Sequence, residues 1–389
     1  MDKIAYLDNS ATTKICDEAL KKYNEVSLGF FGNPSSLHKM GYDAEKLLSE
    51  ARGEILRSLT ATAHKVVFTA SGSEANNLAI IGRAFAKDRY RRGKKIITTN
   101  GEHASINEPL SRLEKEGFKI VKIPTVGGEL DMNALASELD ESVILVTAMM
   151  VNNETGAIYA LDKVSRLIKQ RAPDALLHAD ATQSYMKLPI SLRTLPVDML
   201  TVSSHKIEGP KGVGALIVSD KVITSKGLSP LILGGGQEGG LRSGTENVPA
   251  VAAFGEAVRV YAERRKERYA EISALSEYLI SELLGKLPEI SLTLPKARAG
   301  HILNITLPEI KSETMLHFLS AKGVFVSSGS ACSSNDTAHR SSALIAFGRS
   351  ENEADSSIRI SLSHRNTKED IDLLVSGLRE GIDRLQRMK

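Results

Sequence analysis

The stretch VVFTASGSEANNLAIIGRAF, residues 66–85, decides the fold. It starts as an apolar run, passes through a turn of small residues, and continues as a helical pattern with Leu78, Ile81 and Phe85 at helical spacing. An apolar strand that leads through a short turn into a helix is the unit from which parallel sheets are built. The stretch therefore predicts an α/β fold.

Further strand-like runs follow, separated by segments with helical patterns. These runs are KIITT (95–99), FKIVKI (118–123), SVILVTAMM (142–150), LLHAD (176–180), DMLTVSS (198–204) and VGALIVS (213–219). Several are apolar throughout, as expected when helices cover both faces of a sheet. We predict a mainly parallel sheet flanked by helices, with a ligand site near the carboxyl ends of its strands.

The composition of the chain shifts after about residue 245. A stretch that reads as one long helix or two in sequence is followed by shorter strand-like runs, which are SLTLP, HILNITLP, VFVSS and SIRISLS. These runs predict a smaller α/β domain toward the C-terminus. We expect a large domain over residues 14–258 and a small domain formed by residues 1–13 and 259–389.

The charge balance and cysteine count exclude several classes of protein. The 389 residues include 50 basic and 47 acidic side chains, and a formal net charge of +3 does not suggest nucleic-acid binding. Two cysteines cannot form a disulfide framework. The N-terminus MDKIAYLDNS lacks the apolar core of a signal peptide, and no apolar run approaches the roughly 20 residues of a membrane helix. We predict a cytoplasmic protein.

Three short stretches suggest chemistry. The helix start after residues 66–70 suits a phosphate, to which Ser73 would add a hydroxyl, or it is an ordinary capped turn. Asp180 ends a buried strand, where a carboxylate needs a cation, several donors or a capping role. Lys206 follows another strand and is either a Schiff-base lysine or an exposed loop lysine. A phosphate site, an anion and an amine are what pyridoxal 5'-phosphate requires.

Many stretches match one family in order along nearly the whole chain. They are YLDNSATT (6–13), GNPSSLH (32–38), FTASGSEANN (68–77), GEHAS (101–105), VNNETG (151–156), HADATQS (178–184), SSHKIEGPKGVGAL (203–216), GGGQEGGLRSGTENVP (234–249), SSGSACSS (327–334) and SIRISLS (357–363). The chain resembles the cysteine desulfurases of the NifS/IscS type, which are fold-type I pyridoxal-phosphate enzymes of aminotransferase class V. The resemblance implies a seven-stranded sheet in the large domain.

The resemblance also implies roles around the cofactor ring. Lys206 would bond covalently to the cofactor's aldehyde, and Asp180 would pair with the pyridinium nitrogen. His103 would stack on the ring and move protons, and Gln183 would hydrogen-bond the phenolic oxygen. Without the resemblance, His103 would read as an ordinary loop histidine.

Further residues would hold the phosphate and the substrate. Those implied for the phosphate are Gly72, Ser73, Ser203 and His205, together with Thr245, which would reach the cofactor of the other subunit in a homodimer. Asn153 would lie beside the ring and, with Arg359, hold the carboxylate of the substrate. The alternatives are that Asn153 makes a turn and that Arg359 points outward from an alternating strand.

The stretch VSSGSACSSND, residues 326–336, places Cys332 in a run of Ser and Gly rather than in apolar surroundings. The resemblance gives this thiol a role, which is to accept sulfur from L-cysteine as a persulfide. We expect residues from about 328 to 342 to move, so that Cys332 reaches both the cofactor and an acceptor. Cys16 would be structural or incidental.

The implied activity is release of alanine from L-cysteine, with sulfur passed to an acceptor protein such as an iron–sulfur scaffold. No metal site is expected, since no spacing of His and Cys residues suits one. Alternatives are a selenocysteine lyase, another enzyme of the aminotransferase fold, or a catalytically silent interaction protein.

Overall fold

Strands and helices alternate along the chain in the computed structural model, which describes residues 4–87, 93–328 and 341–386. The strands are β1 (Ala5–Tyr6), β2 (His64–Thr69), β3 (Lys95–Thr99), β4 (Lys119–Ile123), β5 (Val143–Met149), β6 (Leu176–Asp180), β7 (Met199–Ser203), β8 (Gly214–Ser219), β9 (Ser291–Thr293), β10 (Ile302–Thr306), β11 (Val324–Phe325), β12 (Ser327–Ser328) and β13 (Ser357–Ser361). The helices are α1 (Asp17–Gly29), α2 (Lys39–Ser58), α3 (Gly72–Ala84), α4 (Ala104–Lys115), α5 (Met132–Glu138), α6 (Leu161–Arg171), α7 (Asp220–Thr224), α8 (Val248–Glu263), α9 (Arg265–Lys286), α10 (Ser312–Ser320), α11 (Ser342–Phe347), α12 (Glu351–Asp355) and α13 (Lys368–Gln386).

The largest sheet has seven strands in the order β2-β8-β7-β6-β5-β3-β4. The pairs from β4 to β7 are all parallel, and only β8 runs against its two neighbours. Because β3, β5, β6 and β7 run in one direction, their carboxyl ends meet at one edge of the sheet. The prediction of a mainly parallel, seven-stranded sheet is confirmed.

The apolar runs became strands because helices cover both faces of this sheet. Successive residues of one strand enter different hydrophobic clusters: Ile97 and Leu177 pack on one face, and Ile96 and Leu176 pack on the other. With both faces buried, successive positions of such a strand can be apolar, as Ile96–Ile97 and Leu176–Leu177 are. The long helical stretch after residue 245 forms two helices, α8 and α9.

A second sheet lies in the C-terminal part, with the antiparallel order β12-β13-β10-β9. The N-terminal β1 joins this part of the molecule, since it pairs in parallel with β11. One hydrophobic cluster unites Ala5 and Leu7 with residues between 272 and 382. These contacts support our proposal that residues 1–13 and 259–389 form a small domain beside a large domain of residues 14–258. No helix of the described residues is long and apolar enough to cross a membrane.

Candidate active site

Asp180 is the last residue of β6 and lies at the sheet edge where the parallel strands end. Its carboxylate is buried and accepts hydrogen bonds from Asn76 Nδ2 (2.8 Å) and from the backbone N–H of Thr182 (2.8 Å). Two neutral donors satisfy part of the hydrogen-bonding capacity of a carboxylate, which has about four acceptor positions. Asp180 can therefore accept a further donor, such as a protonated ring nitrogen.

Lys206 ends a single helical turn that follows β7. Its amine donates hydrogen bonds to the backbone carbonyl oxygens of Ser10 and Ala11, the latter at 2.8 Å. The N-terminal segment is tied to the same turn, because Thr13 donates through both its N–H (2.9 Å) and its hydroxyl (2.8 Å) to the carbonyl of His205. Residues that begin the chain thus form one wall around the lysine.

Gln183 lies in the turn after β6, and Ser10 connects it to this wall. The Gln183 Nε2 atom donates to the carbonyl oxygen of Ser10 at 2.9 Å, and both residues are buried. The Lys206 amine shares that carbonyl. The carbonyl oxygen of Ser10 therefore binds both Gln183, the predicted partner of the phenolic oxygen, and Lys206, the predicted partner of the aldehyde.

His103 precedes α4, and its ring is held by neighbours of Asp180. Its Nδ1 accepts the N–H of Ser105 at 3.1 Å, which leaves the proton of the neutral ring on Nε2. Asn76 connects the groups, because its Nδ2 donates to Ser105 Oγ (2.9 Å) as well as to Asp180. Burial lowers the pKa of His103; Asp180 opposes this effect, and Lys206 and Arg359 add to it. The imidazole is therefore neutral near pH 7.

The start of α3 faces the turn that carries Lys206. Ser71 caps the helix, its hydroxyl accepting the N–H of Glu74 at 3.1 Å. A Cβ at Gly72 would come within 3.3 Å of both Ser203 Cβ and Thr182 Oγ1. The absence of a side chain at Gly72 thus lets the start of α3 approach the side chains of Ser203 and Thr182. Free N–H groups at a helix start, together with neighbouring hydroxyls, suit a phosphate.

Ser73 lies in the first turn of this helix, and His205 lies in the turn that follows β7. Ser73 is exposed on the first turn of α3. His205 Nδ1 lies 3.1 Å from the hydroxyl of Thr12, and burial, followed by the charges of Lys206, Lys211 and Lys187, lowers the pKa of His205 to about 4. His205 is therefore a neutral ring near pH 7.

Arg359 enters the site from β13 of the small sheet. Its guanidinium donates to the backbone carbonyl of Asn153 (3.1 Å) and to the carboxylate of Asp8 (2.9 Å). Its Nε is buried and has no hydrogen-bond partner among the described residues. A buried guanidinium N–H without a partner suits a carboxylate ligand. Arg359 thus points inward toward Asn153, contrary to the alternative of an outward side chain.

Two predicted residues are not placed in this site by the structure. Thr245 is exposed in the segment between α7 and α8, so its predicted role toward another subunit stays a prediction. Cys332 and most of the segment 328–342 lie outside the described residues. The described residues that flank this gap are close to the site: Ser328 ends β12, which pairs with the strand of Arg359, and the Ser341 hydroxyl donates to Glu154.

Sequence reasoning missed several groups that shape the site, among them Asn76, the two carbonyl acceptors of Lys206, Asp8 and Glu102. The stretches FTASGSEANN, YLDNSATT and GEHAS had been identified, but which of their atoms meet depends on contacts between distant parts of the chain. Within residues 4–87, 93–328 and 341–386, no group of three or more His, Cys, Asp or Glu side chains is arranged to hold a metal ion. Cys16 is buried, and burial raises the pKa of its thiol.

Glu102 is a buried acid directly beside His103. Its carboxylate accepts hydrogen bonds from Thr99 Oγ1 (2.7 Å) and from the N–H of Met149 (3.0 Å). Burial raises the pKa of Glu102 to about 8, and the charge of Asp180 acts in the same direction. The folded protein therefore keeps this proton to a higher pH than the unfolded chain does.

We expect the Glu102→Gln variant to be stabilised relative to the wild type as pH rises. The raised pKa means that the free energy of unfolding of the wild type falls between pH 4.5 and about 8, by up to roughly 5 kcal/mol, and a neutral glutamine removes this loss. Urea unfolding of the cofactor-free protein between about pH 5 and 8.5 measures the difference. The exposed Glu108→Gln variant is the control. A difference that is constant across this range would contradict the prediction.

Several known proteins are similar to this chain in sequence and in fold. The family model described as aminotransferase class-V matches residues 5–374. A protein of Archaeoglobus fulgidus named cysteine desulfurase IscS 1 is 37% identical over 385 residues, which cover 98% of each chain. A solved NifS-like protein superposes with a TM-score of 0.89 at 32% identity, covering 99% of this chain and 100% of that one. A solved structure of SspA in complex with cysteine has a TM-score of 0.80 at 30% identity and covers 93% of this chain and 100% of its own.

These matches extend over nearly the full length of the chain and include the sheet edge, the Lys206 turn and β13. Aminotransferases of class V depend on pyridoxal phosphate, and the amine, the carboxylate and the helix start at this edge fit that cofactor. This protein belongs to the aminotransferase class-V family, as a full-length homologue of the cysteine desulfurases.

Proposed function

We propose that this protein is a cysteine desulfurase that converts L-cysteine to L-alanine and leaves the sulfur as a persulfide on Cys332. The observation that carries the proposal is the convergence of Lys206, Asp180 and His103 at one edge of the sheet. Homology along the whole chain to proteins named cysteine desulfurases supports the same reaction. The cysteine in the complex of the solved relative SspA supports cysteine as the substrate.

The residues at this edge fit pyridoxal phosphate in three places. Pyridoxal phosphate, when bound, supplies an aldehyde and an electron-withdrawing pyridine ring. Lys206 would bond to the aldehyde, Asp180 would accept the proton of the ring nitrogen, and Gln183 would donate to the phenolic oxygen. His103 would lie against the ring. The residues proposed for the phosphate are Gly72, Ser73, Ser203 and His205.

The Lys206 amine would take the α-proton of the substrate at its Nζ. The carbonyl oxygens of Ser10 and Ala11 support this role. They accept hydrogen bonds from the neutral amine, and they bind the amine more strongly once it has taken the proton and become a cation. His103 is a neutral imidazole and can accept or return a proton at the same side of the site.

The substrate carboxylate would bind to Arg359. The unpartnered Nε and the planar guanidinium support this assignment, and the Asp8 carboxylate orients the opposite edge of the group. Asn153 accepts from Arg359 through its backbone carbonyl, so its side-chain amide stays available to the substrate or the ring.

Cys332 would act as the nucleophile. Its thiolate attacks the sulfur of the substrate, the bond between that sulfur and the β-carbon breaks, and the carbon takes a proton to give alanine. The two thiols of the reactants become one persulfide and one C–H bond, so no external oxidant or reductant is needed. Cys332 is four residues beyond Ser328, which gives it a reach of at most about 14 Å from the end of β12.

The proposal extends to partners. We propose a homodimer in which Thr245 reaches the phosphate of the other subunit's cofactor, and its exposure within one chain is compatible with that role. We also propose a sulfur-acceptor protein, such as an iron–sulfur scaffold, and a cytoplasmic location, which the two-cysteine composition supports. A selenocysteine lyase, an aminotransferase and a silent interaction protein are the rival functions.

We expect the Cys332→Ala variant to lose release of alanine from L-cysteine by about 10³-fold or more, since the reaction loses its nucleophile. Alanine and protein-bound persulfide are quantified together in the wild type and the variant. Cys16→Ala is the matched control, because it removes the other cysteine of the chain, and it keeps wild-type turnover.

Unchanged alanine release from Cys332→Ala would overturn the persulfide route. A wild-type protein that stays colourless after addition of pyridoxal phosphate would favour the silent interaction protein.

A further inference from the structure

Lys187 is a buried amine that the proposed reaction does not use. It lies seven residues after the end of β6, it is 8% exposed, and its Nζ is 3.4 Å from Gln183 Oε1. Across residues 4–87, 93–328 and 341–386, no carboxylate lies within 4 Å of this amine. A lysine is rarely this buried without a counterion, so its position requires an explanation other than packing.

The backbone that delivers Lys187 is held in an unfavourable conformation. Met186, the residue before it, has φ 62° and is buried. A side chain with a Cβ adopts this left-handed conformation at a cost in free energy, and such outliers cluster at functional sites. The strained turn brings the amine of Lys187 toward the sheet edge where Gln183 lies.

The contact with Lys187 fixes the orientation of the Gln183 amide. A lysine ammonium can only donate, so it faces the oxygen of the amide and not the nitrogen. The Nε2 of Gln183 is then directed to the carbonyl of Ser10, at 2.9 Å, which also accepts from the Lys206 amine. A line of polar contacts therefore runs from Lys187 through Gln183 and Ser10 to Lys206.

Several charges face Lys187. Burial lowers the pKa of Lys187 to about 7, the cations of Lys206 and Arg359 act in the same direction, and Glu208 opposes them. His301 faces it from the start of β10, and its pKa is lowered well below the usual value by burial and by Lys187. No second anion balances these cations among the groups that act on Lys187 in the described structure.

Lys206 also acts on the imidazoles of His103 and His205, which are both neutral near pH 7. Lys187 and Arg359 are therefore buried cations that share this site with Lys206. Like charges that share a site raise the free energy of each other's charged form.

We propose that Lys187 is a positioning residue of the active site: it orients the Gln183 amide, and its positive charge lowers the proton affinity of the Lys206 nitrogen. The inference rests on the proposed function, because it assigns Gln183 and Lys206 to a bound cofactor. A lower proton affinity keeps the nitrogen of Lys206 in the neutral form that attacks an aldehyde or accepts the α-proton of a substrate.

The test uses the holoenzyme and the visible absorbance of the Lys206–cofactor bond. The absorbance changes when the nitrogen of the Lys206–cofactor bond loses a proton. The pH at the midpoint of this change therefore reports the proton affinity of that nitrogen. We expect the midpoint to rise by about one pH unit in Lys187→Met, which removes the charge and keeps the volume. The exposed lysine variant Lys163→Met, with the same change in net charge, keeps the wild-type midpoint.

A second variant separates the two roles. Lys187→Gln loses the charge and keeps a hydrogen-bond donor, so its midpoint rises as in Lys187→Met while its Kd for pyridoxal phosphate stays near that of the wild type. In Lys187→Met the Kd rises about tenfold, because the Gln183 amide loses the contact that orients it. The cofactor-free Lys187→Met protein melts at or above the wild-type temperature, since an unpaired buried charge has been removed.

The proposal is wrong if both variants keep the wild-type midpoint and Kd. It is also wrong if neither variant folds or if both melt well below the wild type, because Lys187 would then serve the fold. A wild-type protein that forms no visible bond with the cofactor overturns the proposed function and this inference together. If the wild type forms the Lys206–cofactor bond and both variants keep its pH midpoint and its Kd, only the role of Lys187 is overturned.

Discussion

The Lys206→Ala variant is expected to lose turnover of L-cysteine by about 10⁵-fold or more, the largest effect of any single replacement in this site. The methyl group of alanine can neither bond to an aldehyde nor accept a proton. Borohydride reduction followed by mass spectrometry gives an independent measurement. Reduction adds the cofactor's mass to the wild-type chain at Lys206, and no added mass is expected in the variant.

The control for this prediction is Lys169→Ala, which removes an exposed lysine from α6. It is expected to keep both the added mass and the turnover. Loss of the Lys206 amine also removes one hydrogen-bond donor from each of the carbonyls of Ser10 and Ala11, so circular dichroism and thermal melting should accompany the assay. A folded Lys206→Ala protein that still gained the cofactor's mass would show that another amine forms the bond.

The Asp180→Asn variant is expected to lose about 10²- to 10⁴-fold in kcat, because removal of one partner from a buried charge pair costs about 3–5 kcal/mol. The negative charge that would hold the proton on the ring nitrogen is absent in this variant. The fold should tolerate the change. Asn76 Oδ1 is buried without a partner, so rotation of the Asn76 amide would present an acceptor to the NH₂ group that the substitution introduces.

The expected consequences of Asp180→Asn extend to the neighbouring histidine. Asp180 raises the pKa of His103 against the effect of burial, so the variant's His103 should titrate at a still lower pH, which NMR can follow. Asp162→Asn, on the exposed face of α6, is the control with the same change in charge. An Asp180→Asn protein with kcat within about threefold of the wild type would remove Asp180 from the proposed mechanism.

The fold was largely predictable because its strands are buried on both faces. The runs KIITT and LLHAD coincide with β3 and β6 at every residue, and the other predicted strands of the large sheet differ from the observed ones by one or two residues at an end. An apolar run between polar segments marks a covered strand clearly. The sequence left open whether α8 and α9 form one helix or two, since neither Gly nor Pro marks the break at Arg264.

The site was predictable only in part. Asp180 and Lys206 follow strands, and parallel strands bring such residues to one edge, so their meeting could be expected. The carbonyl partners of Lys206 come from residues far earlier in the chain, and a backbone carbonyl carries no signature in a sequence. Lys187 was missed for another reason: lysine is usually exposed, and only the folded turn shows that this one is buried.

The parallel pairing of β1 with β11 bears on how the protein matures. Ala5 meets Val324, so this strand can form only after residue 324 has been synthesised. The segment that supplies the two carbonyls for Lys206 continues from this strand. A chain interrupted before β11 would lack the strand partner of Ala5 and Tyr6, and the segment would then be held by its contacts with the turn of His205 and Lys206 alone.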